Sequence, residues 1–185
     1  VITLLTDPID REIFEAVPTA KIFANYAVGY NNIALADAKN AGVTITNTPG
    51  VLNDSVAEFA IALMLAVAKR IPESDVYTRA GKYEGWAPEL FLGSDLKGKT
   101  LGILGAGRIG YEVARRASLG LGMKISYYDV NQMPQIEKDF GATFIASVDE
   151  LLQIADVVSI HVPLLPSTEH LINAERLARM KPSAY

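Results

Sequence analysis

Two hydrophobic periods take turns along this chain. Stretches rich in β-branched and aromatic residues, such as "VITLLTD" and "DVVSIHV", are followed by stretches whose apolar residues recur every three or four positions. The first pattern places side chains on the faces of a strand, and the second gathers them on one stripe of a helix. In order, "VITLLTD" predicts a strand, "DREIFEAV" a helix and "AKIFANYAVG" a strand. "IALADAKNAG" predicts a helix that stops at Gly42, since glycine accepts the left-handed backbone of a helix end. "VTITNT" is the next strand. After Thr48-Pro49-Gly50, Ser55 and Glu58 have the spacing of a capping box, which predicts a helix to about Arg70. Val56, Phe59, Ala60, Leu63 and Val67 form one stripe of it, while Ile61, Met64 and Leu65 fill its other faces. A helix apolar on nearly every side must be covered on several.

Residues 71–98 break the alternation. They are punctuated by Pro and Gly, they contain Trp86 and Phe91, and they are too long for an ordinary connection. An arm or cover is expected there. From Lys99 the pattern resumes: "TLGILG" a strand, Arg108 to Leu119 a helix, "KISYYD" a strand, "PQIEKDF" a helix and "TFI" a short strand. "SVDELLQ" opens a helix on a second Ser-x-x-Glu spacing, Ser147 to Glu150. "DVVSIHV" is a buried strand, "NAERLARM" a helix, and a further strand should begin at Tyr185. Strands separated by helices in this way make the fold class α/β, a doubly wound parallel sheet.

Two phosphate-binding patterns overlap in "GSDLKGKTLGILGAGRIG". Gly93 to Thr100 reads G-x-x-x-x-G-K-T, and Gly105, Gly107 and Gly110 read G-x-G-x-x-G. A phosphate loop of the first kind follows a strand and opens a helix, so that helix N–H groups face the phosphates. "WAPELFL" before Gly93 is no clean strand, and "LGILG" after Thr100 is a strand instead of a helix. That match is accidental, and Lys99 belongs to a solvated turn. The second motif has its context: a buried strand, a tight turn at Gly105, and a helix opening inside the glycine cluster. Gly107 admits a pyrophosphate close to the backbone, and Gly110 lets helix and strand pack closely. Asp129 lies 19 residues beyond Gly110, at the end of the next strand, where a carboxylate accepts hydrogen bonds from ribose hydroxyls. The same carboxylate repels a 2′-phosphate, and no Arg follows in "DVNQMP". NAD is the expected cofactor.

Composition narrows the class further. The 185 residues are 50% apolar with a net charge of -4, so there is core material and no basic stripe of the kind nucleic acid requires. There is no cysteine, which excludes disulfides, thiolate metal sites and thiol nucleophiles, and a cytoplasmic location is expected. "FAIALMLAVA", the longest apolar run, falls short of the roughly 20 residues of a membrane span. No metal site is expected.

Across nearly the whole chain, "NYAVGYNNI", "TNTPGVLNDSVAEFAIALMLAVAKR", "LKGKTLGILGAGRIG" and "DVVSIHVPLLPSTEHLIN" together resemble the D-isomer-specific 2-hydroxyacid dehydrogenases. Within that family the glyoxylate/hydroxypyruvate reductases and phosphoglycerate dehydrogenases are the most similar. The resemblance implies a Rossmann-type NAD-binding domain over residues 48–185 and part of a smaller flavodoxin-like substrate domain over 1–47, with Thr48 to Gly50 as hinge. It implies that Arg108 and Ile109 donate to the pyrophosphate from the glycine turn of Gly105, Gly107 and Gly110, and that Asp129 holds the ribose. Val162, Pro163 and Thr168 would line the adenosine side. Val56 would touch the nicotinamide, and Val28 and Gly29 would offer N–H groups to a substrate carboxylate. The helix at 55–70 and the arm after it would form a homodimer contact.

The resemblance also implies an oxidoreductase moving hydride between NAD(H) and the C2 of a small 2-keto or 2-hydroxy acid. The family's catalytic arginine, glutamate and histidine lie beyond the strand due at Tyr185, so no catalytic residue is expected in this chain. His161 reads as a core or rim histidine, and His170 as a surface one. An alternative is an NAD-binding sensor or corepressor-like protein that keeps the fold without turnover. Without a neighbour beyond Tyr185, "DVVSIHV" would be an open edge prone to self-association.

Overall fold

The computed structural model describes residues 1–185 as two compact units. Val1–Leu52 and Pro163–Glu169 form the first; Asn53–Val162 and His170–Tyr185 form the second.

The first unit has three parallel strands, β1 (Ile2–Thr3), β2 (Ile22–Asn25) and β3 (Thr44–Thr46), in the order β1-β2-β3. Helices α1 (Arg11–Ala16) and α2 (Leu35–Asn40) connect them. Asp10 caps α1 by accepting from the Glu12 and Ile13 N–H groups, and Phe14 then meets Phe23 of β2 edge to face at 5.2 Å. Ile9, Ile33 and Ala38 complete this small core. Strand β1 is shorter than "VITLLTD" predicts. Asp7 folds the chain back at Leu4, accepting its N–H at 2.8 Å, so Leu4 and Leu5 are exposed.

The second unit is built on β4 (Thr100–Leu104), β5 (Lys124–Tyr128), β6 (Thr143–Phe144) and β7 (Val157–Ile160). All pair in parallel in the order β6-β5-β4-β7. The chain steps outward from β4 to β6 and then returns to β4's other side, which places a topological switch point between β4 and β7. The helices are α3 (Asn53–Ala68), α4 (Ile71–Arg79), α5 (Arg108–Arg115), α6 (Pro134–Phe140), α7 (Val148–Ile154) and α8 (Ala174–Arg179). Leu101, Ile103, Val113, Ala117, Ile125 and Tyr127 form the main core with Ala57, Met64 and Ala68 of α3. Leu104, Val148, Leu151 and Leu152 pack a second cluster that includes α7.

Several elements differ from the sequence expectation. Helix α3 begins at Asn53, so Ser55 lies within it and is no cap. Ser147 does sit at the N-cap of α7, but its side chain makes no capping bond. The expected arm starts with a helix, α4, because Pro72 falls in its first turn, where the missing N–H costs no hydrogen bond. The helix after the glycine turn is α-helical only to Arg115 and continues as a π-helical turn, Arg116–Gly120. On α3 the buried residues are Ala57, Met64 and Ala68, and the stripe of Val56, Phe59, Leu63 and Val67 is exposed. Small residues let α3 approach α5 closely, so the bulky stripe points away.

Strand β7 is the edge of this sheet, and Tyr185 meets only its start, donating its N–H to Asp156 O at 3.0 Å and accepting the Val158 N–H at 2.9 Å.

Candidate functional site

The glycine turn is shaped by what a side chain would strike there. Gly105 has φ +93°, and a Cβ on it would lie 2.8 Å from the His161 carbonyl atoms. A Cβ on Gly110 would collide with the Gly105 carbonyl group and approach Ile103 Cγ2 at 3.2 Å. Both glycines therefore allow β4, β7 and α5 to meet. Gly107 is different: it is exposed, and open space lies above it. It forms the N-cap of α5, and no side chain caps that helix. The first N–H groups of α5, at Arg108 and Ile109, thus face outward at the positive end of the helix dipole. This cradle fits a pyrophosphate: it combines N–H donors, space and absence of acid in the first turn.

Asp129 follows directly on β5. Its Oδ2 accepts the Ala106 N–H at 2.8 Å, and its Oδ1 accepts the Val130 N–H at 2.7 Å. The sequence reading anticipated the carboxylate's position but not its bond to the glycine turn. A cleft of about 520 Å³ adjoins the turn, lined by Gly107, Arg108, Tyr111, Met133, Gln135 and Ile136 among others. Arg108 is exposed.

The second unit therefore brings Gly105, Gly107, Arg108, Ile109, Gly110 and Asp129 together around the switch point. Val162 is half-buried just after β7, and its N lies 2.9 Å from a Cβ placed on Gly105. Val56 sits on the exposed stripe of α3, 37% accessible. Pro163 and Thr168 belong to the first unit. There the Thr168 hydroxyl accepts the Leu165 N–H at 2.8 Å and donates to Pro163 O at 2.6 Å, which tightens the Pro163–Thr168 turn.

Val28 and Gly29 are half-buried in the loop after β2. Their carbonyls are occupied, Val28 O by Asn47 Nδ2 at 2.9 Å and Gly29 O by Asn25 Nδ2 at 2.8 Å. The Val28 and Gly29 N–H groups make no hydrogen bond within the chain, and neither do those of Tyr30 and Asn31. Asn25, 1% exposed, also accepts from the Thr3 hydroxyl and exchanges bonds with Asn32, whose amide reaches the Leu4 and Asp7 carbonyls. Sequence reasoning missed this pair. The available signal was an Asn at the inward position of an apolar strand, where burial demands partners.

The backbone of His161 abuts the glycine turn, but its ring is engaged by Ser159. His161 Nε2 and the Ser159 hydroxyl are 2.7 Å apart, and burial lowers the imidazole pKa below 6.5. His170 is exposed with φ +51°. The rival phosphate pattern has no site. Gly98 turns with φ +76°, Lys99 is exposed, and β4 begins at Thr100. Among the residues there is no cluster of three or more His, Asp or Glu suited to a metal, and no helix is long and apolar enough to cross a membrane.

Comparison with known proteins agrees with this geometry. Residues 61–185 match the family model described as D-isomer specific 2-hydroxyacid dehydrogenase, NAD binding domain. The chain is 50% identical over 184 residues to a glyoxylate reductase of Korarchaeum cryptofilum, covering 99% of this chain and 55% of that protein. It is 49% identical over 187 residues to a glyoxylate reductase of Thermococcus litoralis, covering 99% and 56%. The chain thus spans about half the length of the curated relatives it matches. Among solved structures, a protein from Thermus thermophilus superposes with TM-score 0.92 at 44% identity over 99% of this chain and 57% of that one. A D-lactate dehydrogenase from Aquifex aeolicus, solved with NAD and lactic acid, gives 0.89 at 33% identity over 100% and 54%. From its glycine turn, its strand order and these likenesses, the chain belongs to the D-isomer specific 2-hydroxyacid dehydrogenase family and contains that family's NAD-binding domain.

Proposed function

We propose that this chain holds the cofactor of an NAD-dependent reductase acting on a small 2-keto acid of the glyoxylate kind. The observation that carries the reading is the uncapped N-terminus of α5 at Gly107, with Asp129 bonded to the same turn. In the second unit, Arg108 and Ile109 N–H groups hold the pyrophosphate, Asp129 accepts from the ribose, Val162 borders the adenosine and Val56 the nicotinamide. In the first, Val28 and Gly29 offer N–H groups to a carboxylate, and Pro163 and Thr168 shape an adenosine-side turn. Bound NADH supplies the hydride. The substrate class rests on the relatives, named glyoxylate reductases, and on a solved neighbour that holds lactic acid.

Fluorescence titration with both dinucleotides tests the reading. NADH should bind at least about tenfold more tightly than NADPH, because Asp129 repels a 2′-phosphate. Equal affinities would refute it. In Asp129→Ala the preference should narrow.

Domains divided at residues 1–47 and 48–185, a cytoplasmic setting and a homodimer belong to the same proposal. Phe59, Leu63 and Val67 are 65%, 52% and 52% exposed on α3, and α4 buries no residue, which supports a second copy as cover. Sedimentation velocity should give a dimer, and Phe59→Glu should give a monomer.

A further inference from the structure

Tyr127 is fully buried in the core, yet its hydroxyl is turned to the surface loop that follows Asp129. Three hydrogen bonds meet there. The hydroxyl donates to Glu137 Oε1 at 2.6 Å and accepts the Met133 N–H at 2.7 Å. Gln132 Nε2 donates to the same Glu137 oxygen at 2.9 Å. Burial, and then the bond to Glu137, push the phenol up to about 12, so it stays a neutral donor at any working pH. The other end of the loop is tied by Asp129 to the Ala106 N–H. Residues 130–132 between the two ties are exposed.

We infer that Tyr127 is a positioning residue for dinucleotide selectivity: its hydroxyl and the Asp129–Ala106 bond clamp both ends of the 129–133 loop and hold the Asp129 carboxylate facing the ribose position. This rests on the cofactor reading above. The packing of the ring against Phe144, with centroids 5.4 Å apart, would serve the core equally well without the hydroxyl. An oxygen there has work only toward Met133 and α6. With the C-terminal tie removed, the loop gains conformations in which the carboxylate no longer meets the ribose. NADH then loses an acceptor, while NADPH is relieved of a repulsion.

The test is Tyr127→Phe in this chain, with NADH and NADPH dissociation constants measured beside the melting temperature. Loss of the hydroxyl's two hydrogen bonds, of which the one from Met133 restricts a binding-competent loop, should weaken NADH about fivefold. NADPH should change by less than about twofold, so that the ratio of the two constants narrows. Glu137→Ala, at a half-exposed position, removes the acceptor shared by the Tyr127 hydroxyl and Gln132 but leaves the bond from Met133, and should narrow the ratio in the same direction by about twofold. It also carries the test if Tyr127→Phe does not fold. An unchanged ratio in the folded variants would overturn the inference, even if both melt at lower temperature, because a purely structural hydroxyl does not discriminate between cofactors. Failure of the unsubstituted chain to bind either dinucleotide would overturn the cofactor reading itself, and this inference with it.

Discussion

Gly93–Thr100 and Gly105–Gly110 lie side by side in the chain, and each spells a phosphate-binding pattern. Only the second is followed by a helix. At Gly107 the chain enters α5 and leaves its first N–H groups uncapped, whereas at Thr100 the chain enters β4, whose N–H groups go to its neighbours. The glycines differ in the same sense. Gly105 and Gly110 are small so that β4, β7 and α5 can meet. Gly93 is small because a Cβ would lie 2.5 Å from the Ala68 carbonyl oxygen, where α3 ends. One glycine cluster shapes a surface and the other only admits a crossing of the chain. A motif is the residues together with the element they open.

Substitutions at these glycines separate the two roles. Gly110→Ala should have the largest effect, about 3 kcal/mol of lost stability by chemical denaturation, since its Cβ meets backbone that cannot yield. NADH binding should be lost with it. Gly93→Ala should cost about 2 kcal/mol through the Ala68 carbonyl, but the folded fraction should bind NADH as before. Weakened binding by folded Gly93→Ala would mean that the first pattern does contribute to the site.

A smaller effect distinguishes the two turns by pH. The backbone of His161 abuts Gly105, and burial holds the imidazole pKa below its unfolded value of 6.5. The folded state thus binds fewer protons, so its stability is full above 6.5 and declines as pH falls below that value, down through the folded pKa. Carboxylates held low by ion pairs act at lower pH, below about 4.5. Thermal melts between pH 7 and 5 should show the decline, and His161→Gln should flatten it. The smallest effect is expected at Lys99. Because it is an exposed turn residue, Lys99→Ala should change stability by less than about 0.5 kcal/mol and leave NADH affinity unaltered. A calorimetric ATP titration that gave a signal abolished by this substitution would restore the rejected pattern.

Much of this was legible in the chain. The strand–helix alternation from Lys99 onward located β4 to β7, because each element carries its own hydrophobic period. The acid at the end of β5 was found by its distance from Gly110. What escaped notice was polar and non-local. The Asn25–Asn32 pair joins residues whose partnership depends on where the loop after β2 folds back. The bond from Asp129 to Ala106, and the clamp from Tyr127 to Met133 and Glu137, are set by strand register and helix placement, which no local pattern encodes.

Helix α3 marks the division between the two kinds of information. Its sequence alone determined that it would be a helix, that it would be apolar nearly all round, and that it would follow the break at Thr48–Gly50. Periodicity sorts its apolar residues into a bulky stripe of Val56, Phe59, Leu63 and Val67 and a second set on its other faces, without saying which of them the core takes. The tertiary structure chose Ala57, Met64 and Ala68. Close packing rewards the face that lets two helix backbones approach, and two alanines there let α3 lie against α5 where a phenylalanine could not. Hydrophobicity is a property of a residue, but fit belongs to a pair of surfaces, and the second surface exists only once the chain has folded.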